Sequence, residues 1–273
     1  MAASFLVVPQ WQGSGSSRAM RLVDGAEAIR GDLPSTRTRT VDVPLESGDS
    51  QGTTVHRLIS IALVRDRVAQ ALTEIDGPTI LIGGDCAAEL APIGRVSDAN
   101  VAVVWFDAHP DLNTPESSPS HAFNGMILRT LLGDGPDQLV PAVALAPSRV
   151  VLVGARSFDP AEDEYIAANA VQSVGVDGFS AEALIAAVLA TGATSVYVHI
   201  DLDVLDPGDI AGIGYPEPFG LAAGTLIDAL KVLLARFPLA GAGITEFAPS
   251  SVDAAVDDLP TILRIIGALA AAA

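Results

Sequence analysis

Basic residues, cysteine and long apolar runs are all scarce in this chain, and each scarcity closes off a class of protein. Lys and Arg number 15 against 33 Asp and Glu, a formal net charge of −18, and no basic cluster offsets it. Such a surface repels nucleic acid and anionic lipid, so neither is expected as a partner, while a cationic small molecule could be drawn in. A single cysteine in 273 residues cannot form an internal disulfide, which favours a cytoplasmic location. No apolar run reaches the roughly 18–20 residues of a membrane helix, although 49% of the residues are hydrophobic. The start, Met1-Ala2-Ala3-Ser4, has no basic stretch, and the apolar run that follows stops at Pro9, so no signal peptide is expected. No internal repeat is found.

What is abundant is continuous Val- and Ile-rich sequence. The runs Phe5–Val8, Thr79–Ile82, Val101–Phe106, Val150–Val153, Ser195–Asp203 and Ala242–Thr245 read as strands buried on both faces, as in parallel sheets. Helical spacing predicts helices over Thr53–Ile75, Ser180–Ala190, Thr225–Phe237 and Pro260–Ala272, with Ser180 as a cap. Alternating strands and helices make a doubly wound α/β sheet. Asn113–Ser120 and Asp206–Gly220 read as loops rather than linkers. Residues 1–273 are therefore expected to form one domain, of a length ample for a sizeable core.

Acidic strings follow these strands. Gly83-Gly84-Asp85-Cys86, Asp107-Ala108-His109-Pro110-Asp111 and Asp201-Leu202-Asp203 each close an apolar run, and Glu246 closes a fourth. In open α/β sheets ligands bind beyond the carboxyl ends of strands, so the topology gathers these strings. Residues two apart in an extended segment face the same way. Asp107, His109 and Asp111 can thus point at one centre, and Asp201 and Asp203 repeat the device. Four carboxylates and an imidazole suit Mn²⁺, Zn²⁺ or Fe²⁺. They are enough for two metals bridged by a carboxylate, a pair that makes hydroxide available near neutral pH.

The combination resembles the ureohydrolase family of arginases, agmatinases, guanidinobutyrases and formiminoglutamases. The resemblance runs through Gln12–Ser17, Gly83–Asp85, Trp105–Pro115, Gly154–Glu162, His199–Pro207 and Ile244–Pro249. It implies a three-layer α/β/α domain with a mostly parallel central sheet, two Mn²⁺ per subunit, and a homo-oligomer, usually a trimer or hexamer. It implies attack of metal-bound hydroxide on a guanidinium carbon, giving urea and an amine. By motif, Asp107 and Asp201 would bridge the metals, and His109 and Asp203 would complete one site. Asp111 would complete the other and hydrogen-bond the hydroxide, and Glu246 would hold the guanidinium. Asp159 and Glu162 match positions that receive an α-amino group, while Asn113 and Ser120 match positions that contact an α-carboxylate. Arginine or a related guanidino compound is the implied substrate.

Two positions depart from the family. Cys86 stands where a metal-binding His is usual, and its thiolate would shift preference towards Zn²⁺ or Fe²⁺; it could also be a plain buried thiol. Asn124 occupies the place of the family's proton-shuttling His, and an amide exchanges no proton near pH 7. His121, three residues earlier, is a candidate for a displaced shuttle or an exposed loop histidine. His199 shares a strand face with Asp201 and Asp203 and is expected to hydrogen-bond a ligand from behind. Tyr215 and Phe219 could reshape the pocket. Two alternatives follow: a non-catalytic or weakly active metal-binding relative, and a hydrolase of formimino compounds.

Overall fold

The computed structural model describes residues 3–97 and 100–273, so part of the Met1-Ala2-Ala3-Ser4 start lies outside the described residues. Among them, eight strands form one sheet: β1 (Ser4–Val8), β2 (Thr38–Thr40), β3 (Thr79–Gly83), β4 (Val101–Phe106), β5 (Val150–Val153), β6 (Gln172–Val174), β7 (Ser195–Asp201) and β8 (Leu239–Thr245). Their spatial order is β2-β1-β3-β8-β7-β4-β5-β6, and every pairing is parallel. The four strands that carry the acidic strings are the adjacent central ones, β3, β8, β7 and β4.

Helices cover both faces: α1 (Arg21–Gly31), α2 (Leu58–Leu72), α3 (Leu90–Val96), α4 (Ile127–Leu131), α5 (Pro160–Asn169), α6 (Ala181–Ala190), α7 (Ala223–Arg236) and α8 (Val252–Ala270). Strand residues alternate between the two faces. Val104, Phe106, Val198, Ile200 and Ile244 pack with Ile29 of α1, Leu184 of α6, Leu226 and Leu230 of α7, and Ile262 and Ile265 of α8. Val103, Trp105 and Tyr197 turn the other way, towards Ile61 of α2, Ile93 of α3 and Leu128 of α4. Burial on both sides explains why these strands read as unbroken apolar runs. The expected three-layer α/β/α arrangement is present.

Several boundaries moved. The long helix begins at Leu58, not Thr53, because Arg57 takes a left-handed conformation (φ 58°) that interrupts it. The strand expected to reach Asp203 stops at Asp201, where a short turn, Leu202–Val204, takes over. The last helix starts at Val252, capped by Ser251, whose hydroxyl accepts from the Ala254 amide at 3.1 Å. Pro260 therefore lies inside this helix rather than at its start. The apolar face of α8, including Ala255, Ile262, Ile265 and Leu269, offsets the cost of the lost amide. Ser180 caps α6 as expected, accepting from Ala183 at 3.1 Å. Helix α1 and the three-residue strands β2 and β6 were not expected from sequence. No helix among the described residues is long and apolar enough to cross a membrane.

The turn after β3 shows how closely backbone segments approach at the carboxyl edge. A Cβ at Gly84 would lie 1.9 Å from the Gln10 carbonyl oxygen, whereas one at Gly175 would meet nothing within 4 Å. Gly84→Ala is expected to lower the unfolding free energy by about 1–3 kcal/mol. Gly175→Ala should stay within about 0.5 kcal/mol of the parent. Urea denaturation of the two variants measures the difference.

Candidate metal centre

Each acidic string is fixed by backbone amides. Asp85 is turned away from the cleft and serves as an anchor. Its carboxylate accepts from the amides of Ala87 at 2.9 Å and Gly13 at 2.8 Å, and from Gln10 Nε2 at 3.1 Å. It thereby ties the Gly-rich segment to the end of β3, and burial raises its carboxyl to about 6. The next residue, Cys86, faces the cleft. Its Sγ lies 3.3 Å from Asp201 Oδ2, 3.3 Å from Thr245 Oγ1 and 3.9 Å from Glu246 Oε1. Burial, then Asp201 and Glu246, push this thiol well above its ordinary value.

Beyond β4, Asp107 presents its two oxygens to opposite sides. Oδ2 accepts from Trp105 Nε1 at 3.0 Å, and Oδ1 from the His109 amide at 2.7 Å. His109 Nδ1 lies 2.9 Å from Asp203 Oδ2 and 3.5 Å from Asp107 Oδ1. Asp203 also accepts from the Ala108 amide at 2.9 Å, and Asp201 Oδ1 from the Asp203 amide at 2.9 Å. Asp111 and Glu246 both sit in the left-handed backbone region, at φ 52° and 66°. Non-glycine residues in this region carry strain of the order of 1–3 kcal/mol, and such residues cluster at functional sites. The Glu246 amide is held by the Gly84 carbonyl at 2.7 Å.

Two sets of potential metal ligands result: Asp107 with His109 and Asp203, and Cys86 with Asp201 and Glu246. Within each set the ligand atoms lie within 4.8 Å of one another. Asp111 lines the same cleft but joins neither set. Glu246 stands beside Cys86, so the grouping differs from the one implied by motif, which placed Asp111 there. Asp201 Oδ1 is taken by the Asp203 amide, which leaves Oδ2 towards Cys86.

The electrostatics fit cations. Asp107, Asp111, Asp201, Asp203 and Glu246 are all buried. Among the described residues their ion-pair partners are imidazoles, never Lys or Arg. One oxygen of Asp111 is buried with no hydrogen-bond partner. Burial first, then neighbouring carboxylates, hold Asp111, Asp201 and Glu246 well above the carboxylate range, and Asp203 is raised to about 6. Burial opposes ionisation of Asp107 too, but His109 and His199 outweigh it and keep this carboxyl low. Burial likewise opposes charge on His109, yet Asp107 and Asp203 push it up to about 12.

The cleft, about 180 Å³, is lined by Cys86, Asp201 and Glu246, by His109 and Asp203 but not the more deeply set Asp107, and by Asn113, Ser120, Asn124, Asp159, Glu162 and Tyr215. Asp159 and Glu162 form a capping box at the start of α5, the ordinary structural role that such acidic residues have, and they also face the cleft. Asn113 Nδ2 donates to Asp159 Oδ2 at 2.8 Å. Burial raises Glu162 to about 7. His121 is absent from the lining; its ring faces His56, with centroids 6.0 Å apart. His199 lies beneath the centre, as its strand register implies, against Trp105 and Asp107.

Two contributors escaped sequence reasoning. Glu89 is fully buried and meets His199 Nδ1 at 2.7 Å. Arg156 donates to the carbonyls of Asp203 and Glu217 at 2.8 Å and of Pro218 at 3.0 Å, fastening the 206–220 loop to the end of β7. An Arg in a Gly-Ala-Arg-Ser turn carries no signal of this in sequence.

A parallel α/β sheet whose central carboxyl edge carries two adjoining ligand sets defines an α/β protein with a candidate divalent-metal centre. Comparison with known proteins narrows the class: the chain belongs to the arginase family, matching it over residues 16–259. It is 31% identical over 224 residues to the arginase of Entamoeba histolytica, covering 76% of this chain and 74% of that one. The crystal structure of that arginase in complex with L-ornithine superposes with a TM-score of 0.87 at 25% identity, over 98% of this chain and 97% of the other. The Bacillus subtilis arginase structure gives a TM-score of 0.83 at 26% identity, over 98% of both chains. The fold is the arginase fold, and the family implies a binuclear metal site.

Raised carboxyls have a thermodynamic consequence. Above pH ~4 the unfolded chain releases protons that the metal-free fold retains on Asp203, up to about 6, and on Asp111, Asp201 and Glu246, which burial and neighbouring carboxylates hold well above the carboxylate range. Above about 6.5 the same holds for His109. The native state then binds more protons, so its stability falls as pH rises; Asp107 alone acts the other way. Cations replace those protons and bind better at higher pH. The gain in Tm from added Mn²⁺ or Zn²⁺ over chelator-treated protein should therefore be larger at pH 8 than at pH 5.5. Thermal unfolding at both pH values checks this; an equal gain would contradict it.

Proposed function

We propose that this protein is a metal-dependent hydrolase that cleaves the guanidino C–N bond of arginine or a related guanidino amino acid, giving urea and an amine. The observation that carries the reading is the convergence of Cys86, His109, Asp111, Asp201, Asp203 and Glu246 on one cleft of an arginase-family fold, with Asp107 directly behind His109. Asp107, His109 and Asp203 would hold one cation, and Cys86 with Asp201 the other; Mn²⁺ is expected, with Zn²⁺ or Fe²⁺ favoured where the thiolate ligates. Two such cations supply Lewis acidity and acidify bound water.

The side chains do the rest. Glu246 holds the guanidinium through paired charge-assisted hydrogen bonds, and the substrate's charge favours its ionised form. Asp111, with a free buried oxygen, orients the nucleophilic water and takes its proton. Asp159 and Glu162 receive an α-amino group, and Asn113 and Ser120 an α-carboxylate; all four face the cleft. The ornithine complex of the Entamoeba histolytica arginase supports an amino-acid substrate. His121 is given no part, because its ring faces His56. Asp111 is then the group from which the leaving amine recovers its proton. We read residues 1–273 as one domain, supported by a single sheet that draws strands from Ser4 to Thr245. A cytoplasmic location rests on the single cysteine, and a trimer or hexamer on family resemblance.

A second reading, a metal-binding relative without turnover, is favoured by one observation. Asn124 lines the cleft in the shuttle's place, and the only imidazole among the lining residues is His109. Urea release from a panel of guanidino compounds with Mn²⁺, Zn²⁺ and Fe²⁺ separates the two. Activity on arginine or a close relative is expected, with Asp111→Asn lowering kcat roughly 10²–10⁴-fold and Cys86→Ser removing one metal equivalent. No urea with any metal would overturn the proposal. Recovery of activity in Cys86→His/Asn124→His would then favour a decayed site, and formamide in place of urea would indicate a formimino substrate.

A further inference from the structure

Beneath the metal centre, on the side away from the cleft, lies a polar pair that no step above uses. Glu89 and His199 are both 0% exposed, and the carboxylate Oε1 meets Nδ1 at 2.7 Å. The far ring nitrogen, Nε2, has no hydrogen-bond partner and lies 3.8 Å from Asp107 Oδ2. Trp105 stacks on the imidazole with centroids 3.5 Å apart and rings 16° from parallel, and its own Nε1 donates to the same Asp107 oxygen. Room for the pair is cut into the sheet. Trp105, His199 and Gly243 are register neighbours on β4, β7 and β8, and a Cβ at Gly243 would lie 2.0 Å from the Glu89 carboxyl carbon.

A buried ionic pair is a weak source of stability, because desolvation offsets the attraction. Trp105 and Tyr197, both members of the apolar layer on this side of the sheet, flank the pair, and the buried Tyr197 hydroxyl is the other polar group beside Glu89. What the pair supplies is a polar ring nitrogen, held by a carboxylate and set 3.8 Å from one oxygen of Asp107. We propose that Glu89 and His199 are positioning residues for Asp107. Glu89 fixes the tilt of the imidazole. His199, with Trp105, keeps Asp107 Oδ2 turned inward, so that Oδ1 alone is offered to the His109 side. Partners of this kind, standing behind a metal ligand, typically change metal affinity by 10–100-fold. The inference rests on the reading of the centre as a metal site.

The test is Co²⁺ titration of the full chain after chelation, followed by visible absorption, for the parent, Glu89→Gln, His199→Gln, His199→Leu and the double variant Glu89→Gln/His199→Leu. Glu89→Gln and His199→Gln should each weaken Co²⁺ binding on the order of 10–100-fold and shift the absorption bands. The double variant should bind no more weakly than His199→Leu, since Glu89 acts only through the ring. A purely structural pair would lower Tm and leave affinity and spectrum unchanged in folded Glu89→Gln and His199→Gln, and that result would overturn the proposal even if His199→Leu fails to fold. A parent that binds no Co²⁺ would instead overturn the metal reading itself, and this inference with it.

Discussion

Repulsion among buried carboxylates governs this structure. Asp107, Asp111, Asp201, Asp203 and Glu246 crowd the ends of adjacent strands, each 6% exposed or less. Two unit charges about 4 Å apart at an effective dielectric of about 20 interact by about 4 kcal/mol. The fold meets this load in three ways. Backbone amides of Ala108, His109 and Asp203 donate to the carboxylates. His109 and His199 supply positive charge from the cleft side and from beneath. Retained protons neutralise the rest until cations replace them. The tight turn at Gly84, the Asp85 anchor and the Arg156 fastening all keep the strand ends in register with this load.

The two ligand sets are chemically unequal. Asp107, His109 and Asp203 offer nitrogen and oxygen, with an imidazole already bonded to one carboxylate. Cys86, Asp201 and Glu246 offer sulfur and oxygen in a buried setting where the thiol keeps its proton. Thiolate forms there only as a cation enters, so filling this set releases a thiol proton, whereas filling the first releases the imidazole proton of His109. Glu246 is shared between this set and the guanidinium it is assigned to hold. Occupancy beside Cys86 and substrate binding are therefore linked through one carboxylate.

Much of this was legible in the sequence. The six central strands were visible because both-face burial leaves an unbroken apolar run, and the acidic strings stood out at their ends. The edge strands β2 and β6 were not, since three polar, partly exposed residues such as Thr38-Arg39-Thr40 carry no period. Pro260 misled because proline usually opens a helix, while Ser251, nine residues earlier, held the cap. Sequence left Cys86 open between a metal ligand and a plain buried thiol, and His121 between a displaced shuttle and a loop histidine; in the fold Cys86 and Asn124 line the cleft, while His121, at φ 55°, turns its ring to His56. Glu89 was invisible because Ala-Ala-Glu-Leu reads as an ordinary first helical turn. Only the strand order, which sets β7 and β8 between β3 and β4, carries that carboxylate beneath His199.

The left-handed backbone at Asp111 and Glu246 sets stability against chemistry at single positions. Glycine or asparagine would occupy those conformations with less strain, and the removal of a buried acid would ease the crowding as well. Substitution by glycine or asparagine at either position is thus favoured by the fold and penalised only by whatever the cleft does. A lineage released from that duty would shed these two acids early, much as an idle spring relaxes. In this chain both springs remain wound.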